Sequence, residues 1–353
     1  MQTQNELLRE RLQTGFLGII AFALLLFLLV QARFMLICLA VAIIIFSLTS
    51  DAIGAIARRR VPNWLATTLA LIGIGSGLLW ASATVVSQIN EVVTTSISYA
   101  EQMQAALPAL LEWLGPEAQQ TVDTAIRNFN LTGWMRTAAG SASNLLSAAV
   151  LIFLFVGFMF AERAWFPLKV ESLLDHDKEA ALRVRKIITS IMRRVNRYLV
   201  VKTLVSAATA ACVWVIFTLA LLPLAGPVAL LTFILNFLPS VGSIVATLIS
   251  VVLAYVLTGD LGTTAFIAIA CSLVQFAIGN VIDPMLLGQT LRLSSFGIIL
   301  SLAFWGAIWG IPGMFLAVPI MVAVMIVCAH IPWLRPVAVM LSREGHPDDG
   351  LTD

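Results

Sequence analysis

The chain has 353 residues, 60% of them hydrophobic and only 11% charged, with a net charge of +2. A soluble domain carries about 25% charged residues, whereas the apolar residues here fall into runs of the roughly 20 needed to cross a bilayer as a helix. These values exclude a soluble enzyme, argue against a nucleic-acid partner, and point to an all-α polytopic membrane protein with about eight hydrophobic segments.

The first apolar run, Leu12–Val30, contains no small-residue cleavage motif and is followed at once by Phe34–Ser50, so no cleaved leader is expected. Arg58, Arg59 and Arg60 come next, before Pro62, and Trp64–Val86 forms a third span. The less apolar stretch 87–143 places Ile89, Val93, Ser96, Ala100, Met103, Leu107, Leu110 and Leu114 at alternating spacings of four and three. That is a heptad seam, interrupted at Pro108 because proline breaks a helix interior. It predicts a small helical extracytoplasmic region that makes a subunit contact, a pore lid or a hairpin packed on itself. A fourth span is expected at 144–160.

The segment 161–202 is strongly basic, while 87–143 holds only Arg127 and Arg136 against five acidic residues. Lysine and arginine concentrate in cytoplasmic loops, so the N-terminus, the basic segment and the tail 335–353 are expected inside, and 87–143 outside. Val184, Ile187, Ile188, Ile191, Val195, Tyr198 and Leu199 share one helical face. Lys186, Arg193 and Arg197 lie on another, which reads as an in-plane amphipathic helix addressing anionic lipid or as charges that only fix topology.

The C-terminal core, 203–334, carries two interrupted apolar runs. Leu230–Leu257 is broken by Asn236, Pro239 and Gly242; Phe296–His330 is broken by Gly306, Gly310, Pro312, Gly313 and Pro319. Proline cannot donate to the helix ladder and glycine is a poor helix former. Unwound backbone at membrane depth is tolerated only where protein or a water-filled cavity surrounds it, and paired interruptions are a pointer to a transporter's binding site. Kinks that serve packing alone are the competing reading. Between the two runs stand Gln275, Asn280, Asp283 and Arg292. Asp283 reads as an N-cap with Pro284 at the first helical position of an interfacial helix 284–291, with Arg292 as a candidate partner, or as a carboxylate facing an ion or solute pathway.

The four cysteines all lie inside apolar runs without metal-ligand spacing, and no His-Glu-x-x-His, Gly-x-Ser-x-Gly or Walker A motif is present. Neither a metal, a cofactor, catalysis nor direct ATP coupling is expected; an H⁺ or Na⁺ gradient is the candidate energy source.

The blocks "NFLPSVGSIVATLISVVLAYV" (236–256), "GNVIDPMLLGQTLRLS" (279–294) and "LAFWGAIWGIPGMFLAVP" (302–319) resemble the signature blocks of the autoinducer-2 exporter family. The layout of paired spans, outer region, basic inner segment and broken C-terminal helices resembles it over essentially the whole chain. The resemblance implies a bacterial inner-membrane carrier, a homo-oligomer of pentameric form, that exports a small polar molecule such as autoinducer-2. Some relatives resemble sodium/proton antiporters, so cation exchange stands as an alternative, as does a non-transporting scaffold. Two departures stand out: Asp283 replaces the glutamate common in the family, and a second proline common near 248–250 is missing.

Overall fold

The computed structural model describes residues 2–57, 63–98, 131–163, 165–174, 177–239, 241–287, 293–343 and 345. Arg58–Arg60, the heptad positions from Ala100 to Leu114, His176, Arg292 and His346 lie outside them. The described chain is helical, and its one β-bridge is an isolated pairing of Leu293 with Ser342. Eight of the described helices are long and apolar enough to cross a membrane. The protein is an all-α polytopic membrane protein.

The first four helices are α1 (Gln2–Gln31), α2 (Arg33–Ala57), α3 (Asn63–Ser98) and α4 (Leu131–Glu162). α3 continues beyond the end expected at 86 because no glycine or proline follows Val86 until Pro108. α2, α3 and α4 enclose a core of Cys38, Ala42, Ile53, Ala66, Ile152, Val156 and Phe160. Phe46 meets Phe160 edge to face, with centroids 4.8 Å apart. α1 stands at the rim: its apolar span has no buried residue, and the Trp309 indole donates to the Leu29 carbonyl at 3.0 Å. Exposed Phe16, Ile20 and Phe27 on this helix suit a lipid surface, where apolar side chains need no cover.

α5 (Phe166–Leu173) leads to α6 (Lys178–Leu219), an unbroken helix of 42 residues. Asp177 starts α6 by accepting the N–H groups of Glu179 and Ala180, which satisfies two otherwise unpaired donors. No proline or glycine interrupts the run from 178 to 222, so the expected boundary at 202–203 falls inside one helix. At 1.5 Å per residue, α6 is about 63 Å long, roughly twice the hydrocarbon thickness of a bilayer. The basic half with Lys186, Arg193 and Arg197 is therefore continuous with the span, not a separate in-plane helix joined to it.

The remainder is built from two helical hairpins separated by one long crossing. α7 (Ala225–Leu235) and α8 (Val241–Thr258) form the first hairpin. Their outer ends meet where Val228 and Ala254 share a core with Phe217 and Leu222, beside the C-terminal end of α6. α9 (Leu261–Ala277), a π-helical turn (Ile278–Ile282) and α10 (Asp283–Leu287) make the crossing. The N–H and hydroxyl of Thr263 hold the exposed Asp260 carboxyl, the cap of α9, below its usual range. α11 (Ser295–Trp309) and α12 (Ile311–His330) form the second hairpin. Its base packs Val322, Met325 and Ile326 against Val195, Tyr198 and Leu199 on the N-terminal half of α6. A 3₁₀ turn (Pro332–Leu334) and α13 (Arg335–Leu341) close the chain, the Ser294 N–H donating to Leu341 O at 2.8 Å.

The bases of the two hairpins thus pack on opposite halves of α6, and their tips meet. Leu235 and Leu238 pack with Leu302, Trp305, Met314 and Ala317, and Phe237 stacks on Phe315 with centroids 4.1 Å apart. Each tip depends on a glycine. A Cβ on Gly242 would lie 1.7 Å from Leu235 O, and one on Gly313 would lie 2.0 Å from Trp305 O. Gly310, at φ 68° and ψ −145°, turns the second hairpin through backbone geometry that only glycine adopts without strain.

Candidate transport site

A cavity of about 400 Å³ lies where the first tip, α6 and the end of α9 converge. Its polar lining is Tyr198 and Lys202 from α6, Asn236 and Ser243 from the first hairpin, Gln275 from α9, and Asn280 and Asp283 at the π-turn. Leu238, Pro239, Ile244, Ile298 and Val318 supply apolar wall. A second large groove, between α3 and the first hairpin, is apolar apart from Gln88 and Thr95, and suits an acyl chain better than a polar solute.

The break at 236–239 has an evident polar purpose. Asn236 closes α7 and is buried, and its Nδ2 lies 3.2 Å from Ser206 Oγ and 3.4 Å from Thr209 Oγ1. Thr209 Oγ1 in turn donates to Val205 O. This local network holds the unwound tip against α6 and gives polar groups at membrane depth the partners they require.

The crossing helix shows why Asp283 stands beside a proline. Pro284 lacks an N–H, and its ring would collide with the carbonyl of residue 280 in a regular α-helix. The backbone widens just before it: the Asp283 N–H donates to Ile278 O, five residues back. Such π-turns are frequent at functional sites. The capping role considered for Asp283 is corrected here: its φ and ψ are helical, and its side chain leaves the helix altogether. Asp283 Oδ2 accepts from Lys202 Nζ at 2.6 Å, with the two side chains 17% and 5% exposed. Asp283 Oδ1 and the Tyr198 hydroxyl are buried without a hydrogen-bond partner among the described residues.

The structure thus brings Asn236, Pro239, Gln275, Asn280 and Asp283 together around one cavity. Gly242 stands beside it and shapes the tip. Gly310, Pro312 and Gly313 line no part of the cavity; they form the turn of the second hairpin. Lys202 was not singled out from sequence because it ends a basic run, where one more lysine reads as another topology charge, and Tyr198 was read only as part of the apolar face of that segment. A usable signal existed: Tyr198, Lys202, Ser206 and Thr209 recur at spacings of four, four and three, a polar stripe continuing into an apolar span.

The sequence pattern of AI-2E family transporters matches residues 17–333. The chain belongs to the AI-2E transporter family. It is 28% identical over 291 residues to the Escherichia coli AI-2 transport protein TqsA, covering 81% of this chain and 83% of that protein. A Haemophilus influenzae protein with the provisional name of transport protein is 28% identical over 298 residues, 83% of this chain and 85% of the relative. A Borreliella burgdorferi protein named in the same way is 29% identical over 226 residues, 62% of each chain. The match spans both hairpins and the crossing between them, so the cavity of this AI-2E transporter lies wholly inside the region that defines the family.

Proposed function

We propose that this AI-2E transporter is a bacterial inner-membrane secondary carrier that exports a small polar solute through the cavity beside the tip of the first hairpin, with autoinducer-2 as the leading candidate. Family membership supports carriage, and the name of the TqsA relative supports the solute. The observation that carries the site is the convergence of Asn236, Gln275, Asn280 and Asp283 on one space of about 400 Å³ at a helix break. Ligand pockets of roughly 300–1,000 Å³ hold small molecules. Oppositely directed hairpins that meet at such a cavity are suited to opening it to one side at a time.

The termini face the cytoplasm in this reading, and copies assemble as a homo-oligomer, a pentamer by resemblance. Cation/proton antiport is the weaker reading because the candidate carboxylate already holds an internal ammonium. The test is uptake of labelled autoinducer-2 into proteoliposomes containing the full chain. Flux above empty liposomes that falls at least about tenfold in Asn236→Ala, while the protein stays folded, supports the reading. Absence of flux for wild-type protein removes autoinducer-2 as the solute, and undiminished flux in the variant removes this cavity as the path.

A further inference from the structure

The pairing of Lys202 with Asp283 bears on which ion, if any, this carrier uses. A carboxylate at membrane depth beside unwound backbone is where a secondary carrier would hold an exchangeable cation. Here the Asp283 carboxylate faces an ammonium 2.6 Å away, carried on a side chain that is 5% exposed. Asp283 is reached from α6 by Lys202 and Tyr198; the first hairpin contributes Asn236, Pro239 and Ser243. α9 and the π-turn add Gln275, Gly279 and Asn280, and the second hairpin adds Ile298 and Val318. Lys202, Tyr198 and Asp283 are thus the titratable groups among the described residues that line this space.

The charges of Lys202 and Asp283 cancel. Adding a sodium ion or a proton to the pair would leave a net positive charge in a poorly solvated place, which is costly. Displacing Lys202 would require its ammonium to find another partner, while its stem remains anchored on a rigid helix.

We propose that Lys202 is a resident counter-cation, occupying the position at Asp283 where an exchangeable Na⁺ would otherwise sit, so that no Na⁺ is carried at this site. The proposal rests on the cavity being the transport site. It deepens that reading by assigning Lys202 as the residue that decides ion use. Removing the ammonium leaves an uncompensated carboxylate in a cavity also lined by Asn236, Gln275 and Tyr198, whose side chains carry oxygens, the ligand type a hard cation takes.

The experiment needs no solute, so it stands or falls separately from the identity of the substrate. Full-length wild type, Lys202→Ala, Lys202→Gln and the double variant Lys202→Ala/Asp283→Asn are purified and melted in NaCl and in choline chloride at equal ionic strength. The expected result is that wild type and the double variant melt alike in both salts. At least one single variant should melt about 3 °C or more higher in NaCl, because a ligand that binds only the folded state raises its stability. Two outcomes overturn the proposal. One is a wild-type protein that Na⁺ stabilises while the double variant, which lacks the carboxylate, is not stabilised. The other is a pair of single variants that ignore Na⁺, including equal failure to fold in both salts.

Discussion

At the scale of single residues, the pair formed by Lys202 and Asp283 makes the sharpest energetic demand. Neutralising one partner of a buried ion pair leaves the other charged and unpaired, at a cost of about 3–5 kcal/mol. Asp283→Asn is therefore expected to lower the unfolding temperature in detergent markedly, even though the shape of the side chain is kept. Replacing both partners, as in Lys202→Met/Asp283→Asn, removes the stranded charge and should recover most of that loss. Asn236→Ala is milder: hydrogen bonds between membrane helices are worth about 0.6 kcal/mol on average, so its thermal unfolding should shift little while flux falls. A double variant no more stable than Asp283→Asn would argue that the pair is not what holds α6 to the crossing helix. Asp283, Asn236, Gln275 and Asn280 were legible in the sequence because each interrupts an apolar run. The pairing of Lys202 with Asp283 was not: a polar stripe marks Lys202, but nothing local joins two residues 81 positions apart.

The elements show what local sequence settles and what packing decides. Both helix breaks were readable, since proline and glycine act on the backbone where they stand. Their different uses were not. The break at Asn236 opens onto polar space, whereas the turn at Gly310 only reverses the chain. The glycines separate these roles experimentally. Gly242→Ala and Gly313→Ala each drive a methyl into a backbone carbonyl within the hairpin, at 1.7 and 2.0 Å. Backbone cannot step aside as a flexible side chain does, so each should destabilise by about 1–3 kcal/mol or more, read as reduced yield and a lower unfolding temperature. Gly279→Ala is the contrast. Gly279 lines the cavity, and a Cβ there meets nothing within 4 Å. The helix tolerates alanine better than glycine, so stability should hold or rise. A methyl placed in the solute's space should instead raise KM. Unchanged solute kinetics in a folded Gly279→Ala protein would place the path elsewhere.

At the scale of the whole molecule, the opposed hairpins turn a charge-based orientation into a set of linked positions. The number of hydrophobic segments was readable from hydropathy, but which of them cross and the direction of each hairpin were not, because an apolar arm of 11 residues in α7 and one of 15 in α11 are too short to be told from broken spans. Packing supplies the answer. The base of the first hairpin lies at the Leu219 end of α6, and the base of the second lies by Val195 and Tyr198. If the basic half of α6 faces the cytoplasm, the first hairpin enters from outside and the second from inside. Leu261, at the start of α9, then belongs to the outer side, and Leu173, at the end of α5, to the inner side; both are exposed. The chain has four native cysteines, which Ser substitutions remove for labelling. In that background, Leu261→Cys in right-side-out cells is expected to react with a membrane-impermeant maleimide. Leu173→Cys should react only after the membrane is opened. The reverse pattern would invert the whole molecule without disturbing any internal contact, and would make the hairpin that carries Asn236 the inward-facing one. Labelling of both positions from one side would instead contradict the opposed hairpins, because Leu261 and Leu173 are separated by the length of the α6 span and cannot share a face while the two bases lie at its opposite ends.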